Sequence, residues 1–222
     1  APGGAHVAVS AIDHEAARAV AGEIGRGEAH RLDVADEAEV GAVVAAVMNR
    51  HGRIDVLVNN AGLGARMPTV DLPTERWRQV LAVNLDGSFF CARAVGRHML
   101  AAGRGAVVNL ASIMGLVGGG HYPNLAYHSA KGAIVNFTRA LACEWAARGV
   151  RVNAVAPTFV RTRLTEPLLG DAAMAQRLLA DTPMGRFAEV EDVAAAILFL
   201  ASDAAAMITG VTLPVDGGWI AR

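Results

Sequence analysis

The feature that most constrains this chain is an alternation of short runs rich in valine and isoleucine with longer alanine-rich segments of helical period. Strands that are continuous apolar runs, with a helix between each pair, are typical of a parallel sheet covered on both faces. We therefore predict an α/β fold, a doubly wound parallel sheet in three layers. The predicted strands are HVAVSAI (6–12), AHRLDV (29–34), IDVLVNN (54–60), GAVVNLAS (105–112), VRVNAVAP (150–157) and VTLPVDGG (211–218).

Five segments between these runs have the spacing of amphipathic helices. Asp13, Asp36 and Thr74 stand where N-caps belong, and Gly103 and Gly149 stand where helices stop. No internal repeat or low-complexity linker divides the 222 residues, so we predict one domain over 1–222. The predicted helices are 14–24, 36–52, 74–100, 125–149 and 189–203.

Composition excludes several classes of function. The net charge is -1 and no run of lysine or arginine occurs, which argues against nucleic acid or an anionic membrane as a partner. Cys91 and Cys143 are the only cysteines, too few for a disulfide framework or a zinc cluster, so we expect a cytoplasmic protein without a metal. The longest apolar run is interrupted by Asp203 and falls short of the ~20 residues of a membrane span.

The stretch HYPNLAYHSAK contains two tyrosines, and only Tyr127 is followed four residues later by a lysine, Lys131. Residues four apart on a helix share a face, so this pair can meet one substrate or cofactor. A neighbouring ammonium favours the phenolate, which makes Tyr127 a candidate proton donor or acceptor. Tyr122 has Ala126 at the same offset. Taken alone, the pair is also consistent with an ordinary exposed helix.

Three further segments place polar or small residues where such chemistry needs them. Ser112 ends a predicted strand, at the edge of an open α/β sheet where ligands collect. Another strand ends in Asn60, Ala61 and Gly62, whose small side chains let a flat ligand approach the backbone. Asn84 lies inside a predicted helix, a position that often marks a polar contact.

In their order and spacing these residues resemble the short-chain dehydrogenase/reductase family of NAD(P)-dependent oxidoreductases, which have a Rossmann-like fold. The resemblance covers essentially the whole chain. It rests on LDV with Asp33 and Val34, NNAG (59–62), NLDG (84–87), Ser112, Tyr127 with Lys131, VNAVAPTFVRT (152–162) and VDGG (215–218).

The resemblance implies roles for these residues. Tyr127 would be the acid/base, Lys131 would lower its pKa and hold the nicotinamide ribose, and Ser112 would hold the substrate oxygen. Asn84 would anchor a water for proton relay, and Tyr122 would form a wall of the substrate cleft. The residues implied to meet the cofactor are Asp33, Val34, Asn60, Ala61, Gly62, Tyr127, Lys131, Pro157, Val160 and Thr162.

The chain departs from the family pattern in three places. The interval from Ser112 to Tyr127 is about two residues longer than usual, so the loop between them should be reshaped around the substrate. Thr158 replaces the glycine that usually follows the proline. Members begin with a strand, a glycine-rich turn and a helix that hold the pyrophosphate, and we expect this first βα unit to be missing from the sequence given. Its strand would lie between 6–12 and 54–60, which should therefore not pair with each other.

The resemblance leaves substrate and cofactor open. The stretches ASIMGLVG and ALACEWAARGVRVNAVAP look most like members that act on sugar acids and polyols, such as gluconate 5-dehydrogenase. The alternatives are 3-oxoacyl-carrier-protein reductase and a non-catalytic scaffold. The cofactor is NAD or NADP, with a slight preference for NAD because Asp13 follows the first strand and no arginine does. His121 and His128 are expected to line the cleft, and Arg161 and Arg163 either hold an acidic substrate or are solvated. The family's long helices pair between subunits, so we expect a homotetramer.

Overall fold

The computed structural model describes residues 4–119 and 121–222. Within them, six strands form two parallel sheets, one of order β1-β2 and one of order β3-β4-β5-β6. The predicted α/β fold with a parallel sheet is confirmed. The strands are β1 (Val7–Ala11), β2 (Gly27–Arg31), β3 (Val56–Asn59), β4 (Gly105–Leu110), β5 (Val150–Pro157) and β6 (Thr212–Val215).

The two sheets separate where the sequence predicts. Among the described residues no ladder joins β1 to β3, because β1 pairs with β2 and β3 pairs with β4. The side chains of Val56 and Val58, on the free edge strand of the larger sheet, are 41% and 39% exposed. Strand β2 begins and ends earlier than predicted, so Asp33 and Val34 follow the strand instead of belonging to it.

Helices cover the four-stranded sheet on both faces. Adjacent residues of a strand point to opposite faces, and Val107 of β4 packs into a core cluster with Met99 and Trp145 while Val108 packs with Val193 and Leu200. Two helices therefore cover one face and a third covers the other. The helices are α1 (His14–Ile24), α2 (Glu37–His51), α3 (Thr74–Leu81), α4 (Gly87–Ala102), α5 (Leu125–Trp145), α6 (Glu166–Leu169), α7 (Ala172–Ala180) and α8 (Val190–Ala201). None of these described helices has the length and apolarity needed to cross a bilayer.

Most of the predicted helix ends are found. The carboxylates of Asp13 and Asp36 accept hydrogen bonds from the first turns of α1 and α2, and Gly103 and Gly149 adopt left-handed conformations after helical segments. The prediction for Thr74 is wrong: it is the first residue of α3, and Pro73 before it has no side chain that can accept a hydrogen bond.

The segment predicted as one helix over 74–100 is helical throughout, but a π-helical turn divides it. Helix α3 ends at Leu81, a π-helical turn spans Ala82–Asp86, and α4 follows. Within that turn Asn84 Nδ2 donates to Val80 O and to Leu63 O, each at 2.8 Å, so the side chain ties the helix to the loop after β3. Such turns are rare in proteins as a whole, and those that occur are often at functional sites. Helices α6 and α7 lie in a stretch for which we predicted no helix.

Candidate active site

The carboxyl ends of β3, β4 and β5 open into one cleft, at the sheet edge where ligands collect in open α/β folds. Ser112, Tyr122 and Tyr127, three residues predicted to meet the substrate, line it together. The residues that line the cleft are Gly64, Arg66, Ser112, Ile113, Met114, Tyr122, Asn124, Tyr127, Thr158, Phe159, Leu164 and Thr165.

Ser112 is held at the cleft by a tight turn that follows β4. Its Oγ accepts a hydrogen bond from Met114 N at 3.1 Å and caps a short 3-10 turn over Ile113–Gly115. An ideal Cβ at Gly115 would lie 2.5 Å from Lys131 O, so only glycine lets this turn approach the backbone of α5 so closely. That approach puts the Ser112 hydroxyl beside the first turns of α5.

Tyr127 and Lys131 lie on successive turns of α5, as predicted from their spacing. Burial raises the pKa of the Tyr127 phenol, and hydrogen bonding to Ser112 opposes that rise. Lys131 is 4% exposed, and burial lowers the pKa of its ammonium to about 8. Its Nζ donates to Leu110 O at 2.5 Å and lies 5.6 Å from the centroid of the Tyr127 ring. Because burial dominates the pKa of Tyr127 here, the predicted lowering by Lys131 remains a prediction.

Behind Tyr127, Gly62, Asn84 and Lys131 converge. Both hydrogen bonds of Asn84 Nδ2 go to backbone carbonyls, whereas Asn84 Oδ1 is buried and has no partner among the described residues. An ideal Cβ at Gly62 would lie 2.9 Å from Asn84 Oδ1 and 3.5 Å from Lys131 Nζ. Only glycine leaves this space free, and the space has an unused acceptor on one side and an ammonium on the other.

The residues implied to hold a cofactor follow the same edge of the fold. Asn60, Ala61 and Gly62 are exposed directly after β3, which leaves their backbone open to a flat ligand. Asp33 Oδ1 accepts from Ala35 N at 2.9 Å, so the loop after β2 is ordered by its own side chain. The remaining implied residues lie on the carboxyl side of β2 or β5, namely Val34, Pro157, Val160 and Thr162. Small exposed residues after β3, together with the unpaired Asn84 Oδ1, fit a nicotinamide cofactor.

Tyr122 forms a wall of the cleft and does not share a helical face with a lysine. Its ring packs edge-on against Phe159, with the centroids 6.4 Å apart, and the guanidinium carbon of Arg66 lies 5.6 Å from its centroid. Burial raises the pKa of Tyr122, and the charge of Arg66 opposes that rise. Gly120, in the extended loop before Tyr122, lies outside the described residues.

Arg66, Asn124 and Thr158 line the cleft, and no role was predicted for them from the sequence. Asn124 Oδ1 accepts from Ala65 N at 3.0 Å and so fastens the loop after β3 to the start of α5. Thr158 Oγ1 is buried and has no partner among the described residues. The departure from glycine at Thr158 was a signal in the sequence, whereas Arg66 and Asn124 belong to no motif.

The two histidines expected to line the cleft, and the two arginines for which an acidic substrate or solvent was predicted, are not among the residues that line it. His121 Nε2 is 2.5 Å from Asp181 Oδ2, and His128 Nδ1 contacts Asn124 O at 2.9 Å; neither residue is among those that line the cleft. Arg161 pairs with Glu189 at 3.0 Å. In the described part of the chain, no group of three or more histidine, cysteine, aspartate or glutamate side chains could hold a metal ion.

Comparison with known proteins gives consistent relatives. D-threitol dehydrogenase of Mycolicibacterium smegmatis is 44% identical over 221 residues, which are 97% of this chain and 84% of that protein. Galactitol 2-dehydrogenase (L-tagatose-forming) of Cereibacter sphaeroides is 44% identical over 94% of this chain and 83% of its own length. The crystal structure of a gluconate 5-dehydrogenase from Burkholderia cenocepacia in complex with NADP and tartrate superposes with a TM-score of 0.94 at 34% identity. It covers 99% of this chain and 87% of that one.

A family model described as enoyl-(acyl carrier protein) reductase matches residues 1–220. That match extends over nearly the whole chain, and the names of the relatives above state the dehydrogenation of an alcohol. The chain belongs to the short-chain dehydrogenase/reductase family, and it is an NAD(P)-dependent oxidoreductase that acts on CH–OH groups.

Proposed function

We propose that this enzyme interconverts a secondary alcohol and a ketone on a polyol or a sugar acid. The observation that carries the proposal is the cleft itself, in which the hydroxyls of Ser112 and Tyr127 lie together with a buried ammonium and an unpaired amide oxygen behind them. Hydroxyl donors at one point stabilise an oxygen that gains negative charge during the reaction.

The two hydroxyls divide the work at the substrate oxygen. Ser112 holds that oxygen, and Tyr127 gives it a proton in reduction or takes the proton in oxidation. The bound nicotinamide supplies or accepts the hydride. Because burial raises the pKa of Tyr127, the phenol is protonated at neutral pH, which suits the donor role in reduction.

A second proton carrier lies behind Tyr127. Lys131, with a pKa lowered to about 8, exchanges protons near neutral pH more readily than an exposed lysine does. Asn84 Oδ1, buried and without a partner among the described residues, accepts a hydrogen bond from a water that links Lys131 to the cleft. Lys131 would also hold the nicotinamide ribose, and its charge would favour the phenolate when Tyr127 takes the proton in oxidation.

For the cofactor, the described residues support a nicotinamide dinucleotide, and we retain a slight preference for NAD. Asp13 stands two residues after β1, where an acid can meet the hydroxyls of an adenosine ribose. One of its carboxylate oxygens caps α1 by accepting from Ala16 N at 3.1 Å, which leaves the other oxygen available. The Burkholderia relative binds NADP, so both cofactors belong in any test.

For the substrate, two of the relatives named above act on polyols and a third is a gluconate dehydrogenase. The alternative, reduction of a 3-oxoacyl group on a carrier protein, shares the same motifs, and the description of the matched family model names an acyl-carrier-protein substrate. Arg66, Tyr122 and Asn124 in the cleft lining offer hydrogen-bonding groups that suit a small hydroxylated substrate.

A substrate screen tests the proposal. Full-length protein is assayed with D-threitol, galactitol, gluconate and a 3-hydroxyacyl thioester, each with NAD⁺ and NADP⁺, by the absorbance of the reduced nicotinamide. We expect the highest kcat/KM with a polyol or a sugar acid. A higher kcat/KM with the thioester would favour the carrier-protein reductase, and no turnover of any substrate would favour the scaffold.

We further propose a homotetramer in the cytoplasm. Apolar side chains that are at least 42% exposed lie on α4 and α8, and they suit contacts between subunits; they are Phe89, Val190, Leu198 and Phe199. Cys91 and Cys143 are both free thiols, which suits a reducing compartment. Light scattering of full-length protein at micromolar concentration should give the mass of four chains, and a monodisperse monomer would contradict this.

A further inference from the structure

We propose that Arg66 selects substrates that carry a carboxylate, by binding that group at the mouth of the cleft while Ser112 and Tyr127 act on the alcohol. This rests on the proposed function and deepens it: of the two substrate classes, polyol and sugar acid, the cleft would prefer the acid.

The backbone next to Arg66 is firmly held. Ala65 is 5% exposed, and its N–H donates to Asn124 Oδ1 at the start of α5. From this anchored position the Arg66 side chain crosses the mouth of the cleft, where Nη2 donates to Leu164 O at 2.6 Å. Its guanidinium carbon lies 5.6 Å from the Tyr122 centroid. The guanidinium therefore has a defined place beside the residues that would contact a substrate.

The positive charge of Arg66 is not balanced inside the cleft. Arg66 is the one charged side chain among the described residues that line the cleft, and no ion pair with a described carboxylate is formed by it. Two other arginines are paired with carboxylates, Arg161 with Glu189 and Arg186 with Asp192. The charge of Arg66 also reaches both tyrosines, since it opposes the burial-induced rise in the pKa of each phenol.

An arginine in this state is suited to a carboxylate. The guanidinium has five N–H donors in a planar fork that matches the two oxygens of a carboxylate. Its hydrogen bond to Leu164 O goes to a neutral carbonyl, and a charged acceptor forms a bond roughly twice as strong. A substrate carboxylate would thus displace Leu164 O from Arg66. Leu164 lies in the segment between β5 and α6, so binding of an acid would also free that segment.

A series of four-carbon compounds isolates the effect of the carboxylate. Threitol, threonate and tartrate have hydroxyls on both inner carbons and carry no, one and two carboxylates at their ends. Full-length wild-type protein is compared with Arg66→Gln, with Arg66→Lys and with Arg104→Gln, an exposed arginine before the amino end of β4 and outside the cleft lining. Each variant is assayed with threitol and threonate under saturating cofactor, and its thermal unfolding is recorded.

We expect the wild-type enzyme to prefer threonate to threitol in kcat/KM. Arg66→Gln should lower the threonate-to-threitol ratio by about tenfold to a hundredfold, the range for losing a charge-assisted hydrogen bond. Arg66→Lys should retain part of the preference because it keeps the charge without the fork. Arg104→Gln should leave the ratio unchanged.

Two results would overturn the proposal: a wild-type preference for threitol, or an Arg66→Gln variant that changes kcat/KM equally for both compounds. If neither compound is turned over, the proposed function fails separately, and calorimetric titration of tartrate into the cofactor-loaded protein decides about Arg66. Weakening of tartrate binding by tenfold or more in Arg66→Gln would support the proposal, and an unchanged affinity or no binding would contradict it.

Discussion

Two groups of buried polar side chains lie on the same sheet, and they differ in how completely they are paired. The strand network consists of Asn59, Asn109 and Thr138, inside the sheet and under α5. The cleft group consists of Asn84, Ser112, Tyr127, Lys131 and Thr158, at the carboxyl ends of the strands. Folding removes polar atoms of both groups from water, which costs free energy unless new hydrogen bonds form within the protein.

The polar atoms of the strand network form hydrogen bonds within the protein that offset that cost. Asn59 and Asn109 are in register on β3 and β4, and Asn59 Nδ2 donates to Asn109 Oδ1 at 2.9 Å. Asn109 Nδ2 donates to Thr138 Oγ1 at 2.9 Å, and that hydroxyl donates to Ile134 O at 2.8 Å. The chain of hydrogen bonds ties the two strands to α5, and none of its side-chain atoms is left buried without a partner.

In the cleft group, only some of the polar atoms have hydrogen-bond partners. Asn84 Oδ1 and Thr158 Oγ1 are buried without partners among the described residues, and Lys131 has one hydrogen bond, to Leu110 O, for a buried ammonium. A buried polar group left unpaired costs about 1–3 kcal/mol. We infer from this difference that the strand network serves stability, whereas the unpaired groups of the cleft are left open for a ligand or a water.

The largest expected effect is on catalysis, from Tyr127→Phe. This change removes the hydroxyl at the substrate oxygen and should lower kcat by roughly a hundredfold to ten thousandfold, the usual contribution of a general acid or base. The free energy of unfolding should change little, because the ring and its packing remain. Steady-state kinetics and chemical denaturation of the same preparation measure both quantities.

The control for this prediction is Tyr122→Phe, which removes the same atom from the other tyrosine of the cleft. Tyr122 packs against Phe159 as a wall, so most of the activity should remain. Equal losses of kcat in the two variants would remove the basis for assigning the proton transfer to Tyr127.

The next largest effect is on stability, from Asn109→Leu in the strand network. Asn59 Nδ2 would keep only its longer hydrogen bond to Ser88 O, at 3.4 Å, and Thr138 Oγ1 would lose the donor Asn109 Nδ2, so unfolding should become easier by about 1–3 kcal/mol. The kcat of the folded enzyme should stay near that of the wild type. Urea denaturation checks this, with Asn49→Leu, at an exposed position of α2, as the control. A variant with unaltered stability but reduced kcat would assign Asn109 to the cleft group instead.

Much of this architecture could be predicted from the sequence, because it depends on the spacing of apolar residues and on the positions of polar residues relative to strands and helices. The valine- and isoleucine-rich runs predict all six strands, and the offset of Tyr127 and Lys131 predicts that they share a helical face. Because Gly62 and Ser112 follow the strands β3 and β4, the sequence predicts that both lie at the carboxyl edge of the sheet. The absence of a ladder between β1 and β3 was predicted from the strand order of the family that the chain resembles. The residues of a single strand do not show which strand lies next to it.

The remaining features depend on contacts between distant segments. The π-helical turn at Asn84 needs Leu63 O from the loop after β3, and the position of Arg66 needs Asn124 and Leu164. The interval in which no helix was predicted contains α6 and α7, whose buried residues Leu168 and Leu178 pack on Phe159 and Trp219 from other elements. A pattern read along one segment does not show such partners.

Lys131→Met gives the most direct test of the claim that the cleft group is kept at a cost in stability. Burial lowers the pKa of Lys131 from 10.5 to about 8, so below pH 8 the folded state carries the full penalty of a buried charge. As the pH rises from about 8 toward 10.5, the folded lysine loses its proton first and the penalty disappears.

The measurement is the free energy of unfolding of wild type and Lys131→Met from pH 7 to pH 10, with kcat determined on the same samples. We predict that Lys131→Met is more stable than the wild type at pH 7 by ~2 kcal/mol. Removing the buried charge stabilises the folded state by ~1.4 kcal/mol for each unit by which burial lowers the pKa of Lys131, and the loss of the hydrogen bond to Leu110 O offsets part of that gain. The gain should shrink toward pH 10, and activity should be lost. A variant that is less stable than the wild type at pH 7, or that keeps its activity, would contradict the account.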